Sequence, residues 1–191
     1  MRKLSLFLLM SIFSISLFAQ KKWNVDPNHT KLTFSTVHLG IADVEGWFED
    51  FDITIKSDKE DFSDAVFELS IAVKSINTAI KMRDDHLRSP DFFDADKYKK
   101  MTFKSTSIKK MWANRYKLTG ELTMHGVTKT VTMDLWYRGT IENPQSGDTT
   151  AGFQLTGILK RSDFNIGSDF PSAMISDNVV IKADGEFILQ K

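Results

Sequence analysis

Apolar and polar residues alternate along most of this chain. The longest clean run is Ala65, Phe67, Leu69, Ile71 and Val73, with Val66, Glu68, Ser70, Ala72 and Lys74 between them. The same period of two holds around Leu32 and Phe34, from Tyr116 to Met124, from Val127 to Tyr137, from Ala151 to Leu159 and from Val179 to Leu189. Side chains of a strand point alternately to opposite faces, so this spacing predicts β-strands with one apolar face. Phe48 and Phe51 lie three apart, which breaks the alternation and predicts a bulge or bend between Val44 and Ile55.

The breaks between strands are short and turn-like: Asp58 to Asp61, Ala113 to Arg115, His125-Gly126, and Asn143 to Asp148. About eight strands joined mainly by tight turns form either a sandwich or an up-and-down barrel. A closed antiparallel barrel is expected, because closure removes the exposed edges that a strand-rich protein must otherwise protect. One excursion, from Ser75 to Lys100, is different and predicts a helical insert near residues 77–95. Asn77 or Thr78 is placed to cap it, Ile80, Arg83 and Leu87 share one side, as do Met82 and His86, and Pro90 ends it. Three helical turns at that point would cover one mouth of the barrel as a plug or lid.

The N-terminus changes where the domain is expected to begin. Arg2 and Lys3 precede an apolar run from Leu4 to Phe18 that closes on Ala19, the layout of a cleaved secretory signal. The run is shorter than the roughly 20 residues of a spanning helix. Residues 1–19 are read as a signal peptide and 20–191 as one domain, periplasmic or secreted. The chain holds 25 basic and 25 acidic residues, so it offers no electrostatic footprint for nucleic acid, and stable membrane insertion is not expected. It has no cysteine, which removes disulfides, thiol catalysis, cysteinyl zinc sites and a lipoprotein anchor.

With the alternating sets turned inward, the lumen receives Leu32, Phe34, Phe67, Leu69, Ile71, Phe103, Leu118, Leu122, Met133, Leu135, Phe153, Leu155, Ile181 and Phe187. Two outcomes stay open: an eight-stranded barrel filled by its own side chains, or a hollow one that holds a ligand. Gly120, Gly157 and Gly185 share the inward parity and would leave space, or else mark bends. His38 shares parity with Leu32 and Phe34, and it could meet a ligand headgroup. Arg83 and His86 could hold a polar headgroup at the mouth. The structural alternative, favoured for Arg83, is an ion pair with Asp84, Asp91 or Asp94 that pins the insert. His29, His38, His86 and His125 lack zinc-ligand spacing, so no metal is expected, and structural bonds from turns suit His29 and His125. Gly-x-Ser-x-Gly and phosphate-cradling glycine loops are absent, and the clustered carboxylates lack a glycosidase context, so no catalytic residue and no cofactor are assigned.

Several ordered motifs carry a resemblance. They are Trp23, Val25, Asp26, His29 and Phe34, then Val37-His38-Leu39, then Val44, Gly46 and Phe48. They continue with Arg83-Asp84, His86-Leu87, Ser89 and Asp91-Phe92-Phe93-Asp94, followed by Phe103 and Ser105-Thr106. Gly120, Leu122-Thr123, His125-Gly126-Val127-Thr128-Lys129 and Arg161-Ser162-Asp163-Phe164 complete the set, with Asn165 standing where glycine is usual. From Trp23 to Ile188 the chain resembles the YceI-like family of exported, lipocalin-like barrels. The resemblance implies a long apolar pore that holds a long-chain isoprenoid or fatty lipid, and a homodimer. The function expected on this basis is sequestration or carriage of such a lipid without chemistry. A hydrolase or stress-response enzyme acting on a lipid-like substrate, and a filled-core interaction module, are the rival readings.

Overall fold

The computed structural model describes residues 20–191, so the signal segment read at 1–19 lies outside the described residues. Ten strands run in chain order: β1 (Lys22–His38), β2 (Ala42–Phe48), β3 (Phe51–Lys56), β4 (Val66–Ala72), β5 (Ile76–Asn77), β6 (Lys100–Trp112), β7 (Arg115–Met124), β8 (Val127–Glu142), β9 (Thr149–Lys160) and β10 (Asn178–Leu189). One helix, α1 (Lys81–Arg88), lies between β5 and β6. All pairings are antiparallel, and β10 closes onto β1 from Trp23 opposite Leu189 to Ser35 opposite Val180.

The wall is an eight-stranded closed barrel, because two of its staves are broken. β2 and β3 both pair with β1 and are halves of one stave interrupted at Glu49 and Asp50. This is the bend predicted by the spacing of Phe48 and Phe51. The two intervening residues let both β2 and β3 keep their apolar residues inward. β4 and β5 form a second broken stave, separated by a 3-10 turn over Val73–Ser75 and pairing with β3 and β2 respectively.

Local chemistry fixes the register. The β7–β8 hairpin turns on His125 and Gly126, both at positive φ (49° and 76°), the two-residue turn whose twist matches the flanking strands. Outside this hairpin, the hydroxyls of Thr119 and Thr132 lie 2.8 Å apart and those of Thr123 and Thr128 2.7 Å apart, tying facing residues across the ladder. Inside, the apolar positions form one continuous core.

α1 is two turns long, shorter than the three expected, and neither Asn77 nor Thr78 caps it. Ala79 adopts positive φ (62°), which breaks the helical path before Ile80. Asn77 Oδ1 instead accepts the Ala79 N–H at 2.8 Å. Thr78 is buried, and both its N–H and its hydroxyl donate to Asp84 Oδ1. The C-terminal boundary is as predicted: Ser89, held extended before Pro90, ends the helix.

Candidate functional site

The alternating residues enclose an internal cavity of about 250 Å³. Every residue assigned to the lumen from the alternation borders it: Leu32, Phe34, Phe67, Leu69, Ile71, Phe103, Leu118, Leu122, Met133, Leu135, Phe153, Leu155, Ile181 and Phe187. Phe48, Ile53, Met101, Met124, Leu159, Val179 and Ala183 border it as well. Parity alone could have found Met101, Met124, Leu159, Val179 and Ala183, since each continues a strand already read as facing inward.

The barrel is hollow over only part of its length. At the end where β1 begins and β10 finishes, the interior is filled by packed rings. Phe62, from the loop between β3 and β4, lies with its ring centroid 5.2 Å from Trp23 and 4.9 Å from both Tyr137 and Phe153. Phe153 in turn contacts Phe67 and Phe187 at 5.6 Å. Phe67, Phe153 and Phe187 face the cavity, whereas Phe62, Trp23 and Tyr137 lie beneath this floor and do not line it. The long pore implied by the family resemblance is therefore a well with a closed bottom.

The inward glycines do not hollow it. A methyl group at Gly120 would collide with the Phe103 ring, and one at Gly185 with the Thr30 side chain. At Gly157 it would press on Met133 at 3.2 Å. The space left by each missing side chain is taken by a neighbour, so of the two readings open for these glycines, free volume is not the one seen.

The other end is roofed by the insert and by the segment joining β9 to β10. Leu87 of α1, Phe92, Phe93, Ile166 and Ile175 border the cavity there. Leu87, Phe93, Ile175 and Val179 are only half-buried, so the cavity reaches the surface at this end. The alternation of strands could not reveal Leu87, Phe92, Phe93, Ile166 and Ile175, because none of them lies on a strand.

Arg161 organises the roof. It is buried, begins a 3-10 turn over Arg161–Phe164, and borders the cavity. Nε donates to the Ser176 carbonyl at 3.3 Å, Nη1 to those of Ile166 at 3.0 Å and Gly167, and Nη2 to those of Phe170 and Ile175, the last at 3.1 Å. All five guanidinium donors are thus used on five carbonyls. Asn165 takes the left-handed conformation (φ 55°) that ends the 3-10 turn, which accounts for glycine being usual there.

The three polar residues proposed for a headgroup do not meet the cavity. His38 is exposed at the end of β1, where it bridges to Ile175. His86 pairs through Nε2 with Asp91 at 2.9 Å and packs edge-on to Phe92 and Phe170. Arg83 donates through Nε to the Thr78 hydroxyl at 2.8 Å and through Nη2 to the Thr78 carbonyl at 2.9 Å. It makes no ion pair with Asp84, Asp91 or Asp94, which corrects the favoured reading. Arg83 and Asp84 both act on Thr78, and together they lock the entry to α1.

The remaining histidines serve turns. His125 Nδ1 meets the Phe164 carbonyl at 3.0 Å, joining the β7–β8 hairpin to the roof. His29 bonds a carboxylate in place of the carbonyl expected: its Nδ1 lies 2.8 Å from Asp26 Oδ2. That hydrogen bond, then the charges of Asp26 and Glu186, raise the His29 pKa above its ordinary value. Among the described residues, Asp26, His29 and Glu186 bring metal-type ligand atoms together, within 4.8 Å, on the outside of the barrel and away from the cavity lining.

An eight-stranded antiparallel barrel with an apolar well under a helical insert places the chain among the lipocalin-like barrels. The YceI-like domain matches residues 23–187, and the chain belongs to that family. A UPF0312 protein of Staphylococcus aureus (strain N315) is 35% identical over 162 residues, spanning 85% of this chain and 91% of that protein. The Campylobacter jejuni YceI protein superposes with a TM-score of 0.73 at 33% identity, covering 81% of this chain and 90% of its own. Burkholderia cenocepacia BcnA gives 0.73 at 28% identity, with 87% and 99% covered. A Saccharophagus degradans domain described as polyisoprenoid-binding shares the fold at a TM-score of 0.68 and 16% identity, with 90% and 100% covered.

Proposed function

We propose that this protein is an exported lipid-binding protein that sequesters or carries a long-chain isoprenoid, or a related lipid, in its barrel cavity. The observation that carries the reading is the apolar well itself. Protein interiors are close-packed, so an apolar space of about 250 Å³ left unfilled by the protein's own side chains is a costly feature to keep without a ligand. A hydrocarbon chain that fills it regains about 0.8 kcal/mol per buried methylene, less the cost of immobilising the chain. No chemistry is required of the wall, whose side chains are almost all hydrocarbon.

The Saccharophagus degradans domain supports the isoprenoid class as the ligand to test first. Export is proposed from the cationic and apolar layout of residues 1–19, and a homodimer from the family resemblance.

The direct test is native mass spectrometry of the purified full chain, followed by organic extraction. A co-purifying lipid of prenyl or long-alkyl mass is expected. Protein that is uniformly ligand-free, and that takes up no prenol or long-chain alcohol when offered one, would overturn the reading. Turnover of an ester or amide in the same preparation would favour the hydrolase instead.

A further inference from the structure

We propose that Phe62 sets the depth of the well, and with it the length of hydrocarbon chain the protein accepts. The proposal rests on the lipid-binding reading and names a selectivity within it. Cavity walls made of strand side chains can shift only with the whole barrel. The floor is different, because the ring beneath it comes from a loop.

Phe62 is 2% exposed, yet it belongs to the connection between β3 and β4 rather than to any strand. Its ring meets Phe153 edge-on at 4.9 Å and 85°, directly below the point where Phe153 faces the cavity. Phe62 therefore supports the floor from beneath without touching the space above it. Its backbone stands at φ 56°, a conformation that bulky side chains rarely adopt. Glycine would suit the turn better, so the side chain is present for its ring.

The loop is anchored without help from that ring. The Asp64 carboxylate accepts from the Ser57 hydroxyl at 2.5 Å and the Asp58 N–H at 3.0 Å. The Tyr116 hydroxyl donates to the Asp61 carbonyl, and Lys110 Nζ reaches the Asp61 carboxylate at 2.7 Å. Removing the Phe62 side chain should leave the loop in place and open a void under Phe153. A longer chain end can then displace the Phe153 ring downward and occupy that space.

The test uses delipidated full-length protein and a series of straight-chain primary alcohols lengthening in two-carbon steps, with binding measured by calorimetry. The wild type should bind roughly fourfold tighter for each added methylene until a limiting length, beyond which affinity stops rising. Phe62→Gly should move that limit up by about four carbons, and Phe62→Leu by about two, given partial collapse of the void. Shorter alcohols should bind all three proteins within about twofold of one another. A limit that stays put in a folded Phe62→Gly protein would overturn the depth assignment while leaving lipid binding intact. Should Phe62→Gly fail to fold, the milder Phe62→Leu decides by the same criterion. A wild type that binds no alcohol of any length would remove the depth assignment together with the lipid-binding reading.

Discussion

At the scale of single residues, a buried arginine is held by carbonyls in place of a carboxylate. Arg161 spends its five donors on backbone oxygens from Ile166 to Ser176 and so folds the roof segment around itself. Lysine keeps the charge but offers three donors without the planar fork. Arg161→Lys is expected to cost about 2–4 kcal/mol of stability by urea denaturation, since it leaves buried carbonyls unpaired. A second residue-scale prediction concerns pH. The hydrogen bond from Lys110, then those from Ser63, bring the Asp61 pKa down to about 2 from 3.8. Because the folded value lies below the unfolded one, this contribution is complete above about pH 4 and fades as pH falls towards 2. Wild type and Lys110→Met should therefore differ in stability by a constant amount at neutral pH, and the gap should narrow within that acid window. Both groups are largely exposed, so the gap is small. Neither role was legible beforehand. Arg161 was visible as part of a motif, but its partners are main-chain atoms, which a sequence does not distinguish.

Among the elements, the strands, the place of the insert and the end of its helix were readable, and the start of that helix was not. Period two dictates which residues face inward whatever the neighbouring strand, so the lumen wall followed directly from the spacing of Phe67, Leu69 and Ile71 and their counterparts. Even the broken stave at Glu49-Asp50 showed itself through Phe48 and Phe51. Helix α1 obeyed a different logic. Local propensity favours Asn77 and Thr78 as caps, while tertiary contacts give them other work: Thr78 turns inward to Asp84, and the left-handed Ala79 delays the first helical turn. Asp84 is buried and is what Thr78 answers to, so Asp84→Ala should loosen the whole lid. A loss of about 1–3 kcal/mol is expected on thermal unfolding. The same variant should release a bound prenol faster than the wild type in stopped-flow exchange, with little change in the association rate.

For the molecule as a whole, alternation was compatible with a sandwich or a barrel, the cost of exposed edges pointed to the barrel, and its contents stayed undecided. A side chain that fills a barrel and one that walls a cavity are both apolar and both face inward. Where the hollow ends, the filling comes partly from Phe62, a loop residue that no strand pattern includes. Ligand binding should report on the void directly. A lipid present at about a hundredfold over its Kd stabilises the native state by about 2.7 kcal/mol. For a domain of this size that corresponds to a rise in Tm of about 5–10 °C, measurable by calorimetry on lipid-loaded and stripped protein. A closed bottom also constrains traffic. A cargo that cannot pass straight through must leave by the doorway it used to arrive. On the proposed reading as a lipid carrier, a donor and an acceptor would have to take turns at the same face, by alternating visits and never through a bridge with both attached at once.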